Sequence, residues 1–328
     1  MIRILFIVSL FLSLASVPLF SQIDTLRKQI EKIVASNDAT IGVAIAGMTT
    51  GDTLSINGHS RLPMQSVFKF HIALAVLDKV DREKLSLNKK LYIEQSDLLQ
   101  NTWSPLRDKY PKGNVEISLS EILSYTLSQS DNSGCDILLK FLGGPKVVQN
   151  YINKIGIKDF TIVSGEKEMI EDHNIQYKNW TTPIATVKLL KIFYDRKLLS
   201  SIALQARLLS CSGFTPLQLS GGLVMRSTNS YNFLWKILTE TETGKNRIKG
   251  QLPSGTVVAH KTGTSGTNGE GITVAVNDIG IVQLPNKGYF IISVFVSDSK
   301  EEMEKNEKII SDISKLAWNY FLQKETEQ

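Results

Sequence analysis

The chain has 328 residues, 42% of them hydrophobic and 21% charged, with a formal net charge of +5 and a pI near 9.0. That composition is ordinary for a globular protein, ample for one large or two modest cores, and it excludes a repetitive or low-complexity chain. Positive and negative side chains are interspersed, and no basic block or aromatic-interleaved basic stripe supports a nucleic-acid partner.

The first residues carry one early cation, Arg3, then an apolar run from Ile4 to about Ala15, then Pro18 and the small Ser21. This is a secretory signal pattern. The run is short for a membrane span, and Pro18 interrupts it. Residues 1–21 are therefore expected to be a cleaved signal peptide and the mature protein to be secreted to the periplasm, without a stable membrane span. Export permits disulfides, yet the only cysteines are Cys135 and Cys211. Cys135 lies in the apolar GCDILLKFL and reads as a buried thiol.

Residues 23–38 read as an amphipathic helix. Residues 40–48 and 52–58 read as two strands joined by a Thr-Gly-Asp turn. From Ser66 to about Lys245 the pattern is mostly helical. Its first segment, SVFKFHIALAVL, has apolar residues at nearly every position and should be buried on most sides. Lys69 within it must pair its charge or lose it, and a neutral amine is a base. Ser66 lies one turn earlier on the same face, a candidate activated nucleophile. The spacing alone decides nothing. Ser-x-x-Lys recurs at Ser86/Lys89, Ser164/Lys167 and Ser297/Lys300, and a lysine snorkelling out of a core helix fits equally well.

Further along, Ser118 and Glu121 have capping-box spacing at the start of a helix over 118–129. Periodicity vanishes over 163–180, which reads as a long polar surface loop. Pro183 opens another helix. Strands return at 255–264, 272–284 and 289–298 as a meander, and a final amphipathic helix closes the chain. Strands from both ends and helices from the middle predict an α+β fold. An antiparallel sheet flanked by terminal helices should carry an inserted all-helical domain. The expected division is 22–62 with 247–328 as the α/β part and 63–246 as the helical part, with a cleft between them.

Two rare triplets fall where that cleft should be. Ser130-Asp131-Asn132 follows a helix in a tight turn, and Lys261-Thr262-Gly263 ends a strand. Singly, each is an ordinary turn or strand end. The ordered set Ser66-x-x-Lys69, Ser130-Asp131-Asn132, Lys261-Thr262-Gly263 resembles the signature of class A β-lactamases and penicillin-binding proteins over essentially the whole mature chain. The resemblance is towards the extended-spectrum, cephalosporin-directed branch. It implies Ser66 as nucleophile and Lys69 as proton acceptor. Ser130 would pass a proton to the leaving nitrogen, helped by Lys261. The backbone N–H groups of Ser66 and Thr264 would form the oxyanion hole.

It further implies that Asn132 holds the substrate side chain, and that Thr262, Gly263, Thr264 and Ser265 line the strand edge. Gly263 would let the substrate lie close. Glu166 matches the loop acid that activates the deacylating water, with Glu168 as competitor. The family's E-x-x-L-N reads here Glu166-Lys167-Glu168-Met169-Ile170, so the asparagine that helps hold that water is absent. Arg247, 14 positions before Lys261, matches a substrate-carboxylate arginine, and Trp103 an aromatic wall at the cleft mouth. Residues 201–226, apolar and carrying Cys211, look like an insertion between two helices of the family.

The implied activity is β-lactam hydrolysis, giving antibiotic resistance. A slow-turnover penicillin-binding receptor and a D,D-peptidase are the alternatives. No cofactor or metal is expected. The four histidines, His59, His71, His173 and His260, lack metal-ligand spacing, and there is no G-x-S-x-G or P-loop. A monomer acting on a small β-lactam is expected.

Overall fold

The computed structural model describes residues 22–195 and 228–326. The expected signal segment and the whole 201–226 stretch, Cys211 included, lie outside the described residues. Five strands form one antiparallel sheet: β1 (Thr40–Gly47), β2 (Thr53–Ile56), β8 (Val258–Thr264), β9 (Thr273–Gln283) and β10 (Tyr289–Ser299), in the order β2-β1-β10-β9-β8. The first and last parts of the chain thus share one sheet, with Thr40 opposite Ser297 and Gly47 opposite Phe290.

Side chains on a strand alternate between faces, and this sheet uses both for burial. Ile41, Val43 and Ile45 of β1, with Phe290, Ile292 and Val294 of β10, face the terminal helices α1 (Gln22–Ala35) and α10 (Met303–Thr326). They pack there with Leu26, Ile30, Trp318 and Phe321. The alternate residues Ala44, Ala46, Ile279, Ile281, Ile291 and Phe295 join the other apolar cluster, under the central helices. Both faces being apolar explains why these strands read as near-continuous hydrophobic runs rather than alternating ones.

The central helix is α2 (Phe68–Glu83), whose residues from Phe68 to Asp78 are all buried. Around it stand α4 (Leu119–Ser128), α5 (Asn132–Leu142), α6 (Pro145–Lys154), a helix over 183–195, here α8, and α9 (Thr228–Thr239). Phe70 meets Phe193 of α8 edge-on with ring centroids 5.7 Å apart, and Phe193 stacks on Tyr231 of α9 at 4.8 Å. Ser118 caps α4 by accepting from the Glu121 N–H, as its spacing predicts.

The middle of the chain is not purely helical. It carries a hairpin, β4 (Lys90–Ile93) with β5 (Val115–Ser118), and a small sheet in which β7 (Trp180–Thr181) lies between β3 (Leu62–Pro63) and β6 (Phe160–Thr161). Two-residue strands are too short to leave an alternation in sequence. Residues 163–180 also correct expectation. They hold a short helix, α7 (Glu166–Glu171), and a 3-10 turn, His173–Tyr177. Among the described residues no helix is long and apolar enough to cross a membrane.

Candidate active site

A 3-10 turn, Gln65–Val67, feeds directly into α2 and packs against the edge strand β8. Ser66 sits on this turn and Lys69 in the first turn of α2. Lys69 does not snorkel: it is fully buried. Its Nζ donates to Ser66 Oγ at 2.9 Å, to the Ser130 carbonyl at 2.8 Å and to Asn132 Oδ1 at 2.5 Å. It also forms an ion pair with Glu166 Oε1 at 2.8 Å. An ammonium so surrounded has its charge and donors met inside the fold.

Ser130 reaches the site because the chain reverses there. The link between α4 and α5 puts Ser130 at φ 60°, a left-handed conformation uncommon for a serine. Asp131 fixes this turn. It is buried, caps α5 through the Gly134 N–H at 2.7 Å, and accepts from Leu106 N and Ser104 Oγ. Burial pushes its carboxyl upward, against these hydrogen bonds. Ser130 Oγ accepts from Lys261 Nζ at 2.9 Å. Lys261, fully buried on β8, also donates to the Thr262 carbonyl at 2.8 Å. Desolvation first, then the neighbouring Lys69 charge, holds its pKa well below the usual lysine value. Such an amine gives up a proton readily.

Asn132 bridges Lys69 and Thr102 Oγ1 through the two ends of its amide. Trp103 is 61% exposed beside it; its carbonyl accepts from Asn132 N at 3.1 Å and its Nε1 donates to the Gln129 carbonyl at 2.7 Å. Thr264 is exposed at the end of β8. Ser265 Oγ accepts from Ala275 N, and Thr262 Oγ1 is engaged with Thr243 Oγ1 at 2.6 Å.

Two expectations change in detail. A Cβ on Gly263 would stand 2.5 Å from the Met64 carbonyl oxygen and 3.3 Å from Ser66 N. The glycine is thus required by the protein's own turn, which presses on β8, and not only by a substrate. Arg247 is neither a surface arginine nor a free one. It is buried beneath β8, with Nε on Glu307 at 3.1 Å, Nη1 on the Gly263 and Asn277 carbonyls at 3.1 and 3.0 Å, and Nη2 on Thr264 Oγ1 at 2.8 Å. It reaches the strand's exposed side through the Thr264 hydroxyl.

Glu166 is buried, not solvated. Asp136 of α5 holds it there by accepting from Glu166 N at 2.7 Å and Lys167 N at 2.9 Å, capping α7. Burial raises the Asp136 carboxyl to about 6. The neck of the segment is closed by Asn179, whose Oδ1 accepts from Val163 N and Ser164 N while Nδ2 donates to the Ser164 carbonyl. Glu168 bonds back to Gly165 N and Ile170 is 36% exposed. Sequence reasoning missed Asp136, Asn179, Thr102 and Asn277, which pins the nucleophile turn by donating to the Pro63 and Met64 carbonyls. A charge inside the apolar GCDILL was the one available signal, for Asp136. Cys135 beside it is buried and free, as expected. Among the described residues no cluster could hold a metal.

This arrangement matches a known family. The model of the Beta-lactamase enzyme family matches residues 25–210 and 221–321. The chain belongs to the class A β-lactamases. It is 47% identical over 304 residues to β-lactamase VEB-1 of Pseudomonas aeruginosa, covering 93% of both chains. It is 38% identical to the extended-spectrum β-lactamase PER-1 of the same organism, over 96% of this chain and 93% of the relative. Its fold matches the crystal structure of the TLA-1 extended-spectrum β-lactamase with a TM-score of 0.83 and 49% identity, over 92% of this chain and 100% of that one. As a member of this class the protein is a serine hydrolase with an α+β fold. The family match is interrupted between 210 and 221, inside the stretch read as an insertion.

Proposed function

We propose that the protein hydrolyses the amide bond of β-lactam antibiotics through an acyl-enzyme on Ser66 and so confers resistance. The observation that carries the reading is the position of Lys69 Nζ, 2.9 Å from Ser66 Oγ and 2.8 Å from Glu166 Oε1. In acylation, Ser66 Oγ attacks the lactam carbonyl as its proton moves to Lys69, which hands one of its own protons to the Glu166 carboxylate 2.8 Å away. The oxyanion forms between the N–H groups of Ser66 and Thr264. Ser130, bonded to the easily deprotonated Lys261, protonates the departing nitrogen, and the C–N bond breaks. In deacylation Glu166 takes a proton from water, whose oxygen attacks the ester, and Ser66 leaves with a proton returned to it. Asn132, Thr262 to Ser265 and Trp103 line the substrate side. Arg247 supports β8 and orients the Thr264 hydroxyl towards the substrate carboxylate.

A buried Glu166 paired with Lys69 favours turnover over the receptor and D,D-peptidase readings. Ile170 in the asparagine position leaves deacylation as the slower step. The extended-spectrum relatives support a lean towards cephalosporins, and the N-terminal pattern supports an exported, periplasmic protein. Ser66→Ala should abolish hydrolysis of a chromogenic cephalosporin with the fold intact, and a labelled lactam should attach to Ser66 in the wild type. Label on another serine, or full activity in the variant, overturns the assignment.

A further inference from the structure

The 3-10 turn His173–Tyr177 closes the segment that carries Glu166, and two adjacent side chains fasten it to the rest of the fold. Gln176 Oε1 accepts from Gln65 Nε2 at 2.6 Å, and the Tyr177 hydroxyl donates to Asp298 Oδ1 at 2.8 Å. Among the described residues these are the only side-chain hydrogen bonds from 172–178 to the world outside 163–180. Both anchors are strained in the same way. Gln65 has φ 45° and Asp298 φ 48°, left-handed conformations that cost a non-glycine residue roughly 1–3 kcal/mol. Strain of that kind persists where surrounding structure uses it. At Asp298 the ladder loses one pair without changing register, since Ser297 pairs with Ala275 and Ser299 with Thr273. The exposed Asp298 carboxylate accepts from the Tyr177 hydroxyl there.

We propose that Tyr177 and Asp298 are positioning residues for deacylation: their hydrogen bond seats the loop that presents Glu166, and its loss slows release of the acyl-enzyme but not its formation. This rests on the reading of Glu166 as the water-activating base. Ser66 comes from the 3-10 turn Gln65–Val67, Lys69 from α2, Ser130 from the α4–α5 turn and Lys261 from β8, and the Tyr177 hydroxyl bonds instead to Asp298 on β10. Glu166 alone is delivered by the loop. Burial, then Asp298, pushes the Tyr177 hydroxyl up to about 12, so it remains a donor across the working pH range. With Ile170 unable to bond a water, Glu166 must be well placed for the step to run.

The test uses pre-steady-state and steady-state hydrolysis of a chromogenic cephalosporin by the full-length mature protein. Tyr177→Phe deletes only the hydroxyl. One lost hydrogen bond should lower kcat by up to about tenfold. KM should fall with it, leaving kcat/KM, which reports acylation, within about twofold of wild type. A burst of one equivalent should precede the slower phase. Asp298→Gly removes the acceptor without strain at positive φ and should reproduce the effect, with Tyr177→Phe/Asp298→Gly no worse than either alone. Asp298→Asn keeps an acceptor, tolerates the left-handed conformation, and should restore near wild-type kcat. The proposal is overturned if kcat/KM falls as far as kcat, if kcat is unchanged in Tyr177→Phe, or if the two losses multiply. A wild type that forms no acyl-enzyme would instead refute the function itself.

Discussion

Gly263→Ala tests how closely β8 must approach the nucleophile. The added Cβ would lie 2.5 Å from the Met64 carbonyl oxygen, where real Cβ atoms essentially never come within 3.0 Å. The carbonyl cannot retreat easily, because Asn277 Nδ2 holds it and the Pro63 carbonyl, and Met64 N donates to the Asn179 carbonyl. The strand must therefore move, opening its gap to the turn by at least about 0.5 Å. That gap separates the two N–H groups assigned to the oxyanion. Misplacement by a large fraction of an ångström, or loss of one donor, costs about 10²-fold in rate. Overpacking should also destabilise by about 1–3 kcal/mol. The expected result is kcat/KM for a chromogenic cephalosporin about 10²-fold below wild type, with a lower Tm. Activity within about threefold of wild type at an unchanged Tm would refute the reasoning.

Other outcomes follow from the same geometry. Glu166→Ala should acylate and then stall, seen by mass spectrometry as protein shifted by one substrate mass; normal turnover there with a stalled Glu168→Ala would reassign the base. Asp136 has a folded pKa of about 6 against 3.8 unfolded, so its stabilising contribution is present below about pH 4 and lost as pH rises through 6. In urea unfolding, wild type minus Asp136→Asn should therefore decline by about 3 kcal/mol between pH 4 and pH 8, and a flat or rising difference would contradict the buried carboxyl. Lys261→Ala should lower acylation much more than it lowers Tm, because the buried amine is costly to the fold and serves Ser130; equal acylation rates would sink its role.

The signals carried by residue type and period were legible in the sequence. Ser66, Lys69, Ser130 and Lys261 were readable because each triplet has few structural substitutes, and the large sheet because its strands are long. What escaped depends on contacts between distant segments. Asp136 acts on Glu166 thirty residues away, Asn277 on Met64 across 213 residues, and neither spacing has a local pattern. Buried Glu166 was invisible because a short polar helix and a solvated loop have the same composition. Arg247 reads in the sequence as a substrate-carboxylate arginine, whereas its guanidinium is buried on backbone carbonyls beneath β8, since nothing local distinguishes a guanidinium that binds carbonyls from one that waits for a ligand.

The pairing of β1 with β10 also constrains the order in which the molecule can come into being. Thr40 finds its partner Ser297 only 257 residues later in the chain. The helices that pack around α2 have most of their partners between these points, and can collapse while the C-terminal end is still being made. The strand that carries Lys261 cannot be locked in place until β9 and β10 follow it. Ser66 and Ser130 can thus be brought together early, but the partner of Ser130 arrives last, and a chain cut short before β10 should collect as a helical body without activity. Contacts of such long sequence separation make folding slow.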